Sequence, residues 1–297
     1  MALPHKAKVG VAIDNLLQSE KDYGRLFTIR QSHLRDAARI AFDALMQDIS
    51  EHRPFSSAMA ALAEKCQEET SSGKLKIDVA RGEADALYFS YYLACMIEQS
   101  LPTALLSLLP PFLAGENIAF VYHQNTSLAF SSLKEQNAHR KAIYVSDLRE
   151  ALQSLQEQKA EYCLLPFWQV SGEPYVKIWQ MVRQSNAYIA GYVRAEETIY
   201  ALIGKTILPL SFQNPVVMSF DVTVDDAHFS LDCAKQLGGE CYGIFSYREG
   251  NRMGHFAHFM LPDKESCLSY LLYVRLFHPH IKCMGCAEET SYNFDDI

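Results

Sequence analysis

Hydrophobic positions recur with a helical period through the first third of the chain and then give way to short apolar runs. In residues 31–47, QSHLRDAARIAFDALMQ, Leu34, Ala38, Ala41 and Leu45 fall at steps of four, three and four, one face of a helix. That reading extends from Asp14 to Gln47, with Gly24 as a local weak point. Arg53-Pro54 punctuates the chain, and Ser56 or Ser57 suits the cap of a second helix through AMAALAEKCQEE. A third helix starts near Glu83 and carries Leu87, Tyr91, Ala94, Ile97 and Leu101. Pro102 then interrupts it, because proline cannot donate the next helical hydrogen bond. Pro110-Pro111 and Gly115 mark the clearest boundary. Three helices with one very long member bury poorly alone, so pairing with another subunit or with the rest of the chain is expected.

Beyond that boundary, strand and helix patterns alternate. IAFVY, KAIYV and AEYCLLPF read as strands, with helices after the first two and Asp147 as a cap; VKIWQMVRQ is helical, and AYIAGYV and ETIYALIG are two more strands. Such alternation favours a mainly parallel sheet. From Val216 the order is strand, helix, two strands joined at EGNR, helix, strand. Gly238-Gly239 ends the first helix and Asp263 caps the second. This β-α-β-β-α-β order is the ferredoxin-like arrangement.

Composition narrows the function classes. A chain of 297 residues, 49% hydrophobic, is long enough for two or three domains with real cores. A formal net charge of −8 argues against broad nucleic-acid binding. No apolar run reaches the roughly 18 residues of a membrane span. The start, MALPHKAKVGVAIDN, lacks the apolar core of a signal peptide, so a cytoplasmic location is expected. The eight cysteines lie mostly in apolar segments, as buried thiols do.

Three groups of residues carry candidate chemistry. Arg25, Arg30, Arg35 and Arg39 can offer forked donors to a carboxylate, or form an ordinary solvated helix face. Thr126, Ser127 and Ser171 follow strand ends, where helix starts bind carboxylates, although the same residues can act only as caps. His278, His280, Cys283 and Cys286 are zinc-binding types in an H-x-H-x2-C-x2-C run. A strand over residues 281–285 would point alternate side chains to opposite faces and oppose a shared metal.

The whole plan resembles the bifunctional chorismate mutase–prephenate dehydratases of phenylalanine biosynthesis. LYFSYYLACMIEQSLPTALLSL is similar to the last mutase helix, with Ile97, Glu98 and Ser100 matching an I-I-E-D-S-like run. IAFVYHQNTS is similar to the dehydratase opening, AEYCLLPFWQVSG to its P-I-E-N signature, and HIKCMGCAEE to the terminal M-K-V-L-G run. The resemblance implies a multidomain chain: an all-α mutase-like domain over 1–112, a single-lobe α/β dehydratase-like domain over 113–210, and an α+β ferredoxin-like (ACT) domain over 211–297. It implies a small aromatic-pathway carboxylate as partner (chorismate, prephenate or phenylalanine), a homodimer or higher oligomer, and no cofactor. Ser100 with Arg25, Arg30, Arg35 and Arg39 forms the candidate mutase-like pocket. Thr126, Ser127, Ser171 and Ser246 are the candidate ligand-binding residues.

The departures from the family pattern are as specific as the matches. After Arg53-Pro54 the mutase Arg-Glu pair is absent, with Ser57, Ala60 and Ala61 present instead, and the family glutamine falls on Ala104. The Glu-Asn of P-I-E-N falls on Phe167-Trp168-Gln169. Only KTILPLSFQNP stands where a second lobe and a T-R-F motif belong. The E-S-R-P motif falls on Phe245-Ser246-Tyr247-Arg248. These losses favour a descendant with lost or altered catalysis that binds a metabolite or partner. An active mutase with a non-standard arginine pocket, and a specialised-metabolism enzyme acting on chorismate or prephenate, are the alternatives.

Overall fold

The structure, a computed structural model, describes residues 5–71, 82–169, 175–249 and 252–288. Helix α1 runs His5–Ser50 without a break at Gly24, around which no neighbouring side chain crowds. It ends where His52 adopts a left-handed φ of 68°. Helix α2, Phe55–Ser71, begins directly after Pro54. The Pro54 carbonyl accepts from the amides of Ser57 and Ala58, so both serines lie inside the first turn rather than capping it. Helix α3, Gly82–Ser100, stops before Pro102, and a short 3-10 turn over Ala104–Leu108 leads to the proline pair.

Next come β1 (Asn117–Val121), α4 (Gln124–Gln136), β2 (Lys141–Val145), α5 (Leu148–Gln156), β3 (Tyr162–Gln169), α6 (Val176–Gln184), β4 (Tyr188–Ala195) and β5 (Thr198–Gly204). Asp147 caps α5, accepting from the Glu150 amide at 2.8 Å, while the Glu150 carboxylate accepts from the Ser146 amide at 2.7 Å. That reciprocal exchange satisfies donors that the helix leaves open. The last stretch is β6 (Val216–Thr223), α7 (Val224–Gln236), β7 (Glu240–Glu249), β8 (Arg252–Leu261), α8 (Lys264–Phe277) and β9 (Lys282–Glu288). Gly238, at φ 77°, closes α7, and the Gly239 amide bonds back to Ala234.

The nine strands among the described residues join one sheet, in the order β2-β1-β3-β5-β4-β9-β6-β8-β7. Strands β2, β1 and β3 are parallel, as the alternating pattern predicts. Strand β5 is antiparallel to both β3 and β4, so this half is mixed rather than mainly parallel. Only Glu196 and Glu197 connect β4 to β5, and a link that short permits only a hairpin. The β9-β6-β8-β7 half is antiparallel throughout, as the ferredoxin-like order requires. The halves meet at a parallel pairing of Ile189 on β4 with Gly285 on β9. A Cβ at 285 would lie 2.4 Å from the Ile189 carbonyl oxygen, so the seam needs glycine.

Side chains from alternate positions fill two cores. One face of the sheet packs under α5 and α6 around Phe167, Trp179 and Phe256. The other packs under α4, α7 and α8, and its core continues into α1, α2 and α3. Helix α8 is buried from Ser266 to Val274, as a helix covered on all sides must be. Phe89 of α3 meets Phe277 of α8 edge-on at 6.1 Å, and Gln67 of α2 donates to the Leu276 carbonyl at 3.3 Å. The N-terminal helices thus share a core with the C-terminal half. All eight cysteines are free thiols. Among the described residues, no helix is long and apolar enough to cross a membrane.

Candidate functional site

Helices α1 and α3 lie side by side. Phe27 meets Tyr88 edge-on, and Gln31 accepts from the Tyr92 hydroxyl at 2.8 Å. One turn on, Arg35 lies over the Tyr92 ring at 5.0 Å, a cation–π contact that fixes its guanidinium beside α3. Arg39 follows at i+4 on the same flank. Together with Gln99 and Ser100 at the end of α3, Arg35 and Arg39 line an open groove of about 400 Å³. Asp36 and Asp43 stand on the α1 side of the same groove, and Phe42 and Met96 give it an apolar floor. It therefore carries two guanidiniums, two carboxylates, an amide, a hydroxyl and a hydrophobic patch.

Three of the five residues expected in a mutase-like pocket meet here: Arg35, Arg39 and Ser100. Arg30 does not. Its fork binds Asp85 in a two-pronged ion pair, with Nε 2.5 Å from Oδ1 and the other prong shorter still, so it braces α1 against α3. Arg25 is exposed on α1, outside the groove. Glu98, the neighbour of the groove residue Gln99, is drawn instead to Lys264 at the start of α8. Cys95 donates to Glu265 at 2.7 Å on the same side. Burial and that carboxylate push the Cys95 thiol up to about 12, which keeps it protonated and poorly nucleophilic.

The other expected ligand residues do not converge. Thr126 is buried in the first turn of α4. The α4 start is capped by His123, whose ring accepts from the Asn125 amide at 3.4 Å, and the Ser127 amide is taken by the His123 carbonyl. The Ser127 hydroxyl is buried without a hydrogen-bond partner among the described residues. Ser246 is exposed on β7, 3.0 Å from the His255 ring. Ser171 lies outside the described residues.

His278 closes α8 and bonds the Tyr273 hydroxyl at 2.8 Å, and its ring centre is 5.9 Å from that of His280. The Cys283 thiol faces the Gly285 carbonyl, and burial pushes both Cys283 and Cys286 up, against the thiolate a metal would need. Among the described residues, no three His, Cys, Asp or Glu side chains come together to hold a metal ion.

One polar cluster lies beyond the reach of the sequence patterns. Ser219 of β6 is 2.8 Å from the His258 ring of β8 and 3.1 Å from the Tyr192 hydroxyl of β4. All three are buried. No local signal unites them, because they come from three strands far apart in the chain.

No protein-family model matches the sequence, and no curated protein gives a significant match. Part of the fold is similar to solved structures at low identity. Prephenate dehydratase from Streptococcus mutans is 12% identical over 58% of this chain and 98% of that one, with a TM-score of 0.46. GqqA, described as a novel type of quorum-quenching acylase, is 12% identical over 59% and 95%, with a TM-score of 0.44. Prephenate dehydratase from Arthrobacter aurescens, solved in complex with L-Phe, is 9% identical over 58% and 90%, with a TM-score of 0.43.

Proposed function

We propose that this chain binds a small aromatic-pathway carboxylate in the groove between α1 and α3. In this reading it is a remodelled relative of the chorismate mutase–prephenate dehydratases, divided at 1–112, 113–210 and 211–297, with the ordinary catalysis lost or altered. The observation that carries it is the convergence of Arg35, Arg39, Gln99 and Ser100 on one groove. Two guanidiniums one turn apart suit a carboxylate, and the amide and hydroxyl opposite supply further donors.

The charge balance favours a zwitterion over a dianion such as chorismate. Asp36 and Asp43 offset the two arginines and suit an ammonium group, while Phe42 and Met96 suit a ring. Phenylalanine therefore fits the groove best. Titration calorimetry with phenylalanine, prephenate and chorismate tests this. Phenylalanine is expected to bind, and Arg39→Ala to weaken it by roughly 1.5–3 kcal/mol, the scale of a charged hydrogen bond. Absence of binding by all three acids, or equal affinity in the variant, would overturn the reading. Following chorismate loss in the same samples separates binding from residual mutase activity.

A further inference from the structure

Across α1 from the groove, on its other flank, α1, α2, α3 and α8 leave a cavity of about 310 Å³ between them. Its walls are almost all carbon. Ala37 and Ala41 of α1 and Ala86 of α3 stand where bundle helices commonly interlock large side chains, with Phe89 and Phe277 beside them and Ala44 exposed on the same flank. Alanine has no rotamer to swing inward, so these walls cannot close the space by rearranging side chains. A carbon-lined space of this kind gives ordered water no partners.

The rim is polar on one side only. Lys65 of α2 stands there exposed, and no ion pair engages it among the described residues. Among the described residues the one carboxylate lining it, Asp85, is neutralised by the fork of Arg30. Ile40, at the mouth, is 71% exposed, apolar surface that an occupant would cover. The volume lies at the lower end of the roughly 300–1,000 Å³ typical of small-molecule sites.

We propose that this cavity is a binding site for a compact amphipathic monocarboxylate, with its apolar body between the alanines and its carboxylate at Lys65. Octanoate and phenylpropanoate share that chemistry and serve as probes for an acyl or an aromatic source. Octanol is the uncharged control. Calorimetric titration of the full chain is expected to show saturable binding of at least one acid, and the tighter one names the source. Lys65→Ala should weaken that acid about threefold to fivefold, the size of an exposed ion pair, and leave octanol unchanged.

Ala44→Leu fills the space and should abolish binding of acid and octanol alike. Its melting temperature, read in parallel, should be held or raised, which separates a filled cavity from a misfolded chain. Ala41→Val serves as the second filling variant. No saturable binding by the unmodified chain overturns the proposal, and so does undiminished binding in a filled variant that still melts cooperatively. A self-association that Ala44→Leu disrupts, without any acid binding, would assign the cavity to a second copy of the chain and also overturn it. Loss of phenylalanine binding in Arg39→Ala bears only on the groove, so the two readings fail separately.

Discussion

His258 sits among five aromatic rings. The centres of Tyr192, Trp168, Trp179, Tyr242 and Phe167 lie 5.3 to 6.3 Å from its own. Burial drives its pKa down to about 3, because a charged imidazole there would lose its water. The unfolded chain takes up the same proton near pH 6.5. Above that pH neither state is protonated at this residue, and its contribution to stability is complete. As pH falls from about 6.5 towards 3, the unfolded state binds the proton and the folded state does not, so stability declines by an amount on the order of 4 kcal/mol. In His258→Asn the side-chain carbonyl can still accept from Ser219, but no group titrates. The variant should be less stable at neutral pH, with a flatter melting-temperature profile between pH 6.5 and 4. Parallel profiles for the two proteins would show that this histidine does not govern the acid limb.

At the scale of elements, the parallel pairing of β4 with β9 depends on Gly285. A Cβ there would lie 2.4 Å from the Ile189 carbonyl oxygen and 2.5 Å from the Ile189 Cβ, and neither atom can swing aside. Gly285→Ala should cost about 1–3 kcal/mol in urea unfolding, the range for an overpacked core. A midpoint within error of the parent would mean the two strands part freely. The sequence made most single elements legible, because each rests on local chemistry. Apolar runs mark β1 to β3, Asp147 and Asp263 mark helix starts, and Gly238 marks a helix end. Arg35 and Arg39, one helical turn apart on α1, share one groove in the structure. Pairing between distant strands leaves no such local trace. A lone glycine gives no hint that β4 and β9 touch, and nothing near Gln99 or Asp43 shows that α1 and α3 align there. Arg30 carries the same signal as its neighbours, and only the position of Asp85, 55 residues on, removes it from the pocket.

At the scale of the whole molecule, α1 spans 46 residues and keeps Leu26 and Ile29 exposed at 66% and 44%. Apolar side chains along an exposed helix flank favour association with a second copy. Sedimentation velocity should give a dimer that Leu26→Glu with Ile29→Glu converts to monomer, and a monomer for the parent chain would refute this. The fused sheet has a different consequence, for aggregation. Two separate sheets of five and four strands would present four open edges, and an unpaired edge is a template for stray pairing between chains. Joining them hides β4 and β9, whose runs YIAGYVRA and KCMGCAE are mostly apolar and buried. Among the described strands β2 and β7 are outermost, and β2 is just five residues long and begins with a lysine. A substitution that opens the seam would therefore expose the edges of two largely buried strands, and insolubility should accompany the lost stability.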